Sequence, residues 1–324
     1  MSYFSNVVKI FFLFIKFWKQ FKKQKKFLSE FSQTYDNKLN KSDLDRVRTY
    51  GLYVPIFIGE SYSVLRGSKL TTNERTAITC LGSMTALFDD LFDESDYSDD
   101  FIRNVLGNPV KNESYSPQLN LLVELYLLFL ENSNHKSSAK VLMNNIFHAQ
   151  VASRNQTQAS LSQKELETIT YNKGGYTMQL YRRAFANIIS ENEDALFYKL
   201  GAIGQLENDI FDIYKDYNAG IKTLATTASE IKHLELTYQN LHSEILNNID
   251  KTTYKFENKE QFKLICSLII SRGYVALSQF KKLSKKTNLV FKITKYSRNE
   301  LICDMEKPLN RVKLLHYAAS CSKK

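Results

Sequence analysis

An all-α fold is what this sequence predicts, and three observations predict it. Turn-forming residues are scarce: 324 residues include 11 glycines and 4 prolines, less than half the average share. A many-stranded protein needs a turn roughly every ten residues. The glycine-rich phosphate loops of nucleotide-binding α/β folds are missing, with no G-x-G-x-x-G and no G-x-x-x-x-G-K-[ST]. Apolar residues also recur at helical spacing over long stretches. With 43% apolar and 24% charged residues the chain can bury a sizeable core. Its 21 Phe and 19 Tyr make that core aromatic.

The elements follow in order. Residues 1–30 hold seven lysines (Lys9, Lys16, Lys19, Lys22, Lys23, Lys25, Lys26) and one acid, Glu30. On a helix, Val7, Phe11, Phe14 and Trp18 share one side, with Lys9, Lys16 and Lys23 opposite. The uninterrupted apolar run is Ile10 to Ile15, far short of the roughly 20 residues that span a bilayer. No small-residue cleavage site marks a signal peptide. The segment reads as a basic amphipathic helix, lying either on a membrane surface or against the domain. The remaining 31–324 form one helical domain. A helix is expected over 42–68, with Ser42 as its N-cap and a break at Gly67-Ser68. A second runs from 70 to about 92. Residues 96–115 are polar and read as a loop with one helical turn. Pro117 starts a helix through Leu130. Helices follow over 137–156, 163–191 (interrupted at Gly174-Gly175), 194–217, 223–249, 259–283 and 300–319. Phe291 to Tyr296, β-branched and aromatic, is expected as a short strand.

Composition narrows the function. The net charge is +10, but residues 1–30 supply most of it, so the domain has no basic excess of the kind nucleic-acid binding requires. Cys80, Cys266, Cys303 and Cys321 are scattered without a C-x-x-C. That argues against a zinc ribbon or a disulfide framework and for a reducing cytoplasm. With 5 histidines, the expected metal is a hard, oxygen-ligated one.

Two acidic clusters carry the chemistry. Asp89 and Asp93 are four apart on one helix face, with Asp90 to the side. Asn208, Asp212 and Asp216 follow i, i+4, i+8, spread over about 80° of a helix. Asp209 lies about 100° round from Asn208. Each cluster ends an apolar helix. Like charges within a turn repel by a few tenths of a kcal/mol per pair, a cost that a solvated helix end has no need of. Mg²⁺ takes one or two carboxylates and fills its octahedron with water and phosphate oxygens. Two facing clusters can thus hold several Mg²⁺ and a diphosphate, and counter the charge of a leaving diphosphate.

Asp89-Asp90-x-x-Asp93 with Asn208-Asp209-x-x-Asp212-x-x-x-Asp216 resembles the two metal motifs of the class I isoprenoid synthases. The first motif matches in full. The second has Asp212 and Asp216 where terpene cyclases carry Ser and Glu, and Asn208 where chain-elongating prenyltransferases carry Asp. Squalene and phytoene synthases, like this chain, have Asp at the last two places. Bacterial large-terpene synthases (tetraprenyl-curcumene synthase-like) also use acids there and carry a Lys-Gly-Gly like Lys173-Gly174-Gly175. The resemblance covers about residues 45–320 and rests on about a dozen positions.

The resemblance implies a helical bundle around a central apolar cavity. It implies Mg²⁺-dependent ionisation of a linear prenyl diphosphate, then cyclisation or quenching. Asp89, Asp90 and Asp93 would hold two Mg²⁺, and Asn208, Asp212 and Asp216 a third. Lys173, Arg154, Lys215 and Lys222 are candidate diphosphate contacts, with Arg182, Arg183 and Arg311 behind them. A helix broken at Gly174-Gly175 would turn carbonyls towards a developing cation. Tyr62, Phe88, Phe92, Tyr176, Gln205 and Phe211 would line the pocket, where aromatic faces favour cations. Head-to-head prenyl coupling stays open, as does a non-catalytic, membrane-associated helical protein. A homodimer stays open too. The expected location is the cytoplasm, with residues 1–30 on the inner face of the plasma membrane.

Overall fold

The computed structural model describes residues 3–35, 38–93, 96–157 and 161–321. Among these every regular element is helical. In order they are α1 (Tyr3–Phe31), α2 (Lys41–Val54), a π-helical segment (Pro55–Glu60), α3 (Ser61–Arg66), α4 (Thr72–Asp93), α5 (Asp99–Gly107), α6 (Pro117–Asn132), α7 (Lys136–Ser153), α8 (Gln163–Arg182), α9 (Glu191–Phe211), α10 (Ile213–Asn218), α11 (Ile231–Lys251), α12 (Phe256–Ser284), α13 (Arg298–Leu301) and α14 (Pro308–Cys321).

Helix starts are fixed by side chains that accept from orphan N–H groups. Asn40, not the expected Ser42, caps α2 through the Asp43 N–H at 2.9 Å. Ser98, Ser116 and Ser190 cap α5, α6 and α9, and Ser162 with Glu165 forms a capping box on α8. The expected break after α3 is present, with Gly67 in the left-handed region at φ 76°.

Four expectations are corrected. Phe291 to Tyr296 is not a strand; it contains a 3-10 turn at Ile293–Lys295. Phe291 and Tyr296 turn inward and stack at 5.2 Å, so aromatic packing rather than strand pairing explains their composition. The helix expected over 223–249 begins at Ile231, because Thr223, Thr226 and Thr227 side chains tie up the local backbone in a turn. The helix expected over 194–217 breaks at Asp212 (φ −89°, ψ 8°), giving α9 and α10.

The fourth correction concerns Gly174-Gly175. Helix α8 runs through both glycines without interruption. A Cβ at Gly174 would collide with the Gly201 carbonyl, one at Gly201 with the Gly174 carbonyl, and one at Gly175 with the Tyr198 ring. The glycines let α8 and α9 touch backbone to backbone. Their helix-propensity cost, about 2 kcal/mol for two, is met by this close approach.

The pairs α8/α9, α2/α4, α4/α6 and α12/α14 pack most extensively, around one large core. Helix α1 lies against this body. Ile10 and Leu13 join a smaller core with Val64, Leu264, Ile265, Ala318 and Ala319. The Gln24 side chain is buried, donating to the Gly51 carbonyl and Thr79 and accepting from Arg75. The packed stripe is therefore Asn6, Ile10, Leu13, Gln24 and Leu28. Phe11, Phe14 and Trp18 point outward instead, at 63%, 53% and 60% exposure.

Candidate active site

The charges of the α4 and α9 ends both reach one tyrosine. Tyr50 on α2 is half-buried, and its hydroxyl pKa is raised, first by burial and then by the charge of Asp89, with Asp212 and Asp90 adding to it. Arg46, one turn before it, opposes them. Two acidic clusters 119 residues apart in sequence thus act on one hydroxyl.

At the α4 end, Asp90 accepts from Arg46 Nη1 at 2.8 Å, and Arg46 Nη2 also donates to the Ala86 carbonyl. Asp89 accepts from Gln150 Nε2 at 3.3 Å. The side chain of Asp93 lies outside the described residues.

At the α9 end the acids crowd one another. Asp209 is buried between α8 and α9, where it accepts from Thr170 Oγ1 at 3.0 Å and Gln205 Nε2 at 2.9 Å. Burial pushes its carboxyl up to about 6, with Asp212 adding to the rise and Lys173 opposing it. Asp216 is pushed up to about 6 by burial, then by Asp209 and Asp212, against Lys215 and Lys173. Lys173 therefore faces this acid group from α8. Asn208 lies on another face of α9 and is exposed.

Asn208 and Phe211 stand on the wall of an apolar cavity of about 320 Å³ between the π-helical segment, α8, α9 and α12. Phe57, Ile203, Ile265 and Ile269 supply much of the rest. Asp212 directly follows Phe211, and Tyr50 lies two turns before Phe57. The aspartates themselves do not line the cavity; Asn208, one turn before Asp212, is the member of the α9 motif that does. The volume is that of a small-ligand site.

Other expected residues are placed differently. Tyr62 is fully buried in the core, stacked on Phe185 at 4.5 Å and hydrogen-bonded to Tyr254. Phe92 packs on Phe88 and Phe147. Phe88 and Asp89 border a small recess of about 50 Å³ beside α7. Tyr176 packs edge-on against Tyr198, while Gln205 serves Asp209. Arg154 pairs with Asp99 at 2.7 Å and covers the Phe92 ring. Arg182 is buried with Glu193, and Arg183 is paired with Asp194. Both are core ion pairs, not diphosphate contacts. The Lys222 main chain is bonded in both directions to Gln156. Lys215 is exposed near Asp216, and Arg311 is exposed on α14.

Sequence reasoning missed Tyr50, Arg46 and a polar group on the cavity wall. There Glu207 accepts from Tyr238 at 3.1 Å and pairs with Arg272 at 3.3 Å. Burial raises the Glu207 carboxyl to about 7, and the Arg272 guanidinium covers the Phe211 ring. Arg46 and Tyr50 share a helix face at i, i+4, a spacing that carries no signal without knowing which helix lies opposite.

No three acidic, histidine or cysteine side chains among the described residues form a ready-made metal cage. Mg²⁺ does not require one, since water and phosphate complete its shell. The crowded, partly uncompensated carboxylates of α9 fit a hard divalent cation by charge and donor type. Compared with known proteins, the chain matches no family model, and no curated protein matches its sequence.

Proposed function

We propose that the chain is a class I isoprenoid synthase, which ionises a linear prenyl diphosphate with Mg²⁺ and then cyclises or quenches the cation. The observation that carries this reading is the action of both acidic helix ends on Tyr50, with Asn208, one turn before Asp212, on the wall of an apolar cavity. Asp89, Asp90, Asp212 and Asp216 would hold Mg²⁺, with Asn208 at the cavity edge. When bound, the metal neutralises charge on the departing diphosphate. The residues of the chain do the remainder. Lys173 offers a cation beside the acid group. Arg46 holds Asp90 in place. The cavity wall excludes water and orients the hydrocarbon.

The test is Mg²⁺-dependent diphosphate release from a panel running from geranyl to hexaprenyl diphosphate, with EDTA as the control. Release from at least one member is expected. Silence across the panel would leave a non-catalytic helical protein. Product analysis separates cyclisation or quenching from head-to-head coupling.

Helix α1 is the membrane contact in this reading. Phe4, Phe11, Phe12 and Trp18 are each at least 60% exposed on a helix carrying seven lysines. Each lysine near an anionic leaflet contributes about 1 kcal/mol, screened by salt. Sedimentation with phosphatidylglycerol vesicles should show binding that weakens with salt. Binding should be lost in a Phe11→Ser, Trp18→Ser double variant.

A further inference from the structure

Behind the exposed aromatics of α1 lies an apolar groove of about 220 Å³. Its α1 wall is Leu13, Phe14, Phe17 and Trp18, and its floor comes from the π-helical segment and α12. Phe57, Ile265 and Ile269 line both this groove and the cavity of the candidate site. The partition between the two spaces is therefore the thickness of these side chains. Phe57 is 50% exposed and is braced by a stacked contact with Tyr53 at 5.9 Å. It sits in the π-helical segment Pro55–Glu60, where the hydrogen-bond ladder widens from i→i+4 to i→i+5, a geometry frequent at functional sites. Apart from the Tyr53 hydroxyl and the Trp18 indole N–H, no polar side-chain group lines the groove.

We propose that this groove is a lateral passage through which a long hydrocarbon chain moves between the bilayer and the cavity, with Phe57 as the movable side chain between them. The proposal rests on the reading of the cavity as a hydrocarbon site. It follows from the shared lining and from charge. The cavity's polar edge, Asn208 with Glu207 and Arg272, lies one helical turn from Asp212 and is the acid mouth of this reading, suited to a diphosphate and metal. A bare hydrocarbon would have to cross water to use it, at a cost proportional to its apolar area. The groove opens under the one helix whose aromatics and lysines suit a lipid surface, so a chain entering there stays out of water. Phosphorylated and hydrocarbon ends thus have separate routes into one chamber.

The chain contains one tryptophan, Trp18, and it lines the groove. Its fluorescence reports the outer space without modification. A Trp18→Phe, Leu200→Trp variant moves the only tryptophan to the inner cavity, since Leu200 lines that wall. Stearic acid carrying a nitroxide at its chain end is titrated into both proteins, without vesicles, metal or diphosphate. Saturable quenching of both reporters is expected. Adding Phe57→Asp should weaken both signals, the inner one by roughly tenfold more than the outer, because Phe57 lines both spaces but a carboxylate in the passage between them is costly to desolvate. Phe57 is half-exposed and tolerates the charge; Ile269→Asn, scored the same way, provides a second obstruction.

Quenching of Trp18 without quenching of the inner tryptophan overturns the proposal. So does an inner signal that neither obstruction changes, which would mean entry by the acid mouth. Because the assay contains no diphosphate, its outcome is separable from the synthase reading. A protein that passes here but releases no diphosphate is a hydrocarbon-binding protein with a lateral passage. One that releases diphosphate but fails here has a cavity with one entrance.

Discussion

The ends of α4 and α9 carry similar acids in different surroundings. At the α4 end the protein supplies partners: Arg46 sits 2.8 Å from Asp90, and Gln150 donates to Asp89. At the α9 end burial pushes Asp209 and Asp216 up to about 6, with neighbouring acids adding to each, and of the two it is Asp209 that accepts from side-chain partners, Thr170 and Gln205. The α4 end is held in place before anything binds, while the α9 end stores repulsion that a bound cation would relieve. Two acidic motifs alike in sequence thus sit in unlike surroundings, and in the synthase reading the α9 end would gain more from a bound metal.

The largest expected effect tests whether both ends serve one reaction. Asp212→Asn and Asp89→Asn should each lower Mg²⁺-dependent diphosphate release by about two orders of magnitude or more, a loss of roughly 3 kcal/mol of transition-state stabilisation. Circular dichroism and thermal melting should show the fold intact, since each change removes a repelling charge. Near-normal turnover in either variant at saturating Mg²⁺ would remove that helix end from the site. Asp209→Asn is the internal contrast. Its carboxyl already serves Thr170 and Gln205, so its turnover should fall less than that of Asp212→Asn.

A stability effect comes next. Gly201→Ala sets a Cβ against the Gly174 carbonyl and should destabilise by about 1–3 kcal/mol through overpacking. Denaturant unfolding measures this directly. Because α9 would shift away from α8, Lys173 should also lose its hold on the acid group. An unchanged midpoint would show that the helices can separate freely.

The difference between the ends can also be read by pH. Raised carboxyl pKa values mean that ionisation opposes folding. Metal-free protein should lose stability as pH climbs from the ordinary aspartate value of 3.8 through about 6. Mg²⁺ should recover that loss, raising the melting temperature at pH 8 and hardly at pH 5. Asp216→Asn should shrink the Mg²⁺ effect more than Asp90→Asn does. Equal responses would abolish the distinction between the two helix ends.

The smallest effect belongs to Tyr50. Tyr50→Phe removes the hydroxyl that both ends act on and keeps the ring. A several-fold fall in turnover, with KM for substrate moved more than kcat, would mark a positioning role. No change would make the hydroxyl a bystander that reports the field.

Much of this organisation was legible in the sequence, for identifiable reasons. Helical spacing exposed the acids of 89–93 and 208–216, because carboxylates on one turn are a local pattern. Pro117 and Gly67 marked a start and a stop correctly, since backbone geometry is also local. What escaped reading depends on the neighbour across the interface. Gly174-Gly175 looks like a break from within its own helix and becomes a contact only once Gly201 is opposite. Val7, Phe11, Phe14 and Trp18 form a coherent face, yet the domain packs against the adjacent stripe, Asn6, Ile10 and Leu13, because Asn6 and Gln24 find buried partners there. Tyr62 was placed in the pocket on its type alone. Burial and Phe185 assign it to the core.

The hydrogen bond from the Asn6 side chain to the Ala319 carbonyl, with the Tyr3 and His316 rings 5.8 Å apart, has a consequence for synthesis. The Asn6 end of the α1 stripe must wait for α14 before it is covered, and contacts so distant in sequence close slowly. While α14 is still on the ribosome, α1 offers part of its aliphatic stripe as well as its outer aromatics. A nascent chain in that condition is a natural client for chaperones. Pausing translation before residue 308 should prolong that state and extend the time α1 spends in contact with a holdase or a bilayer.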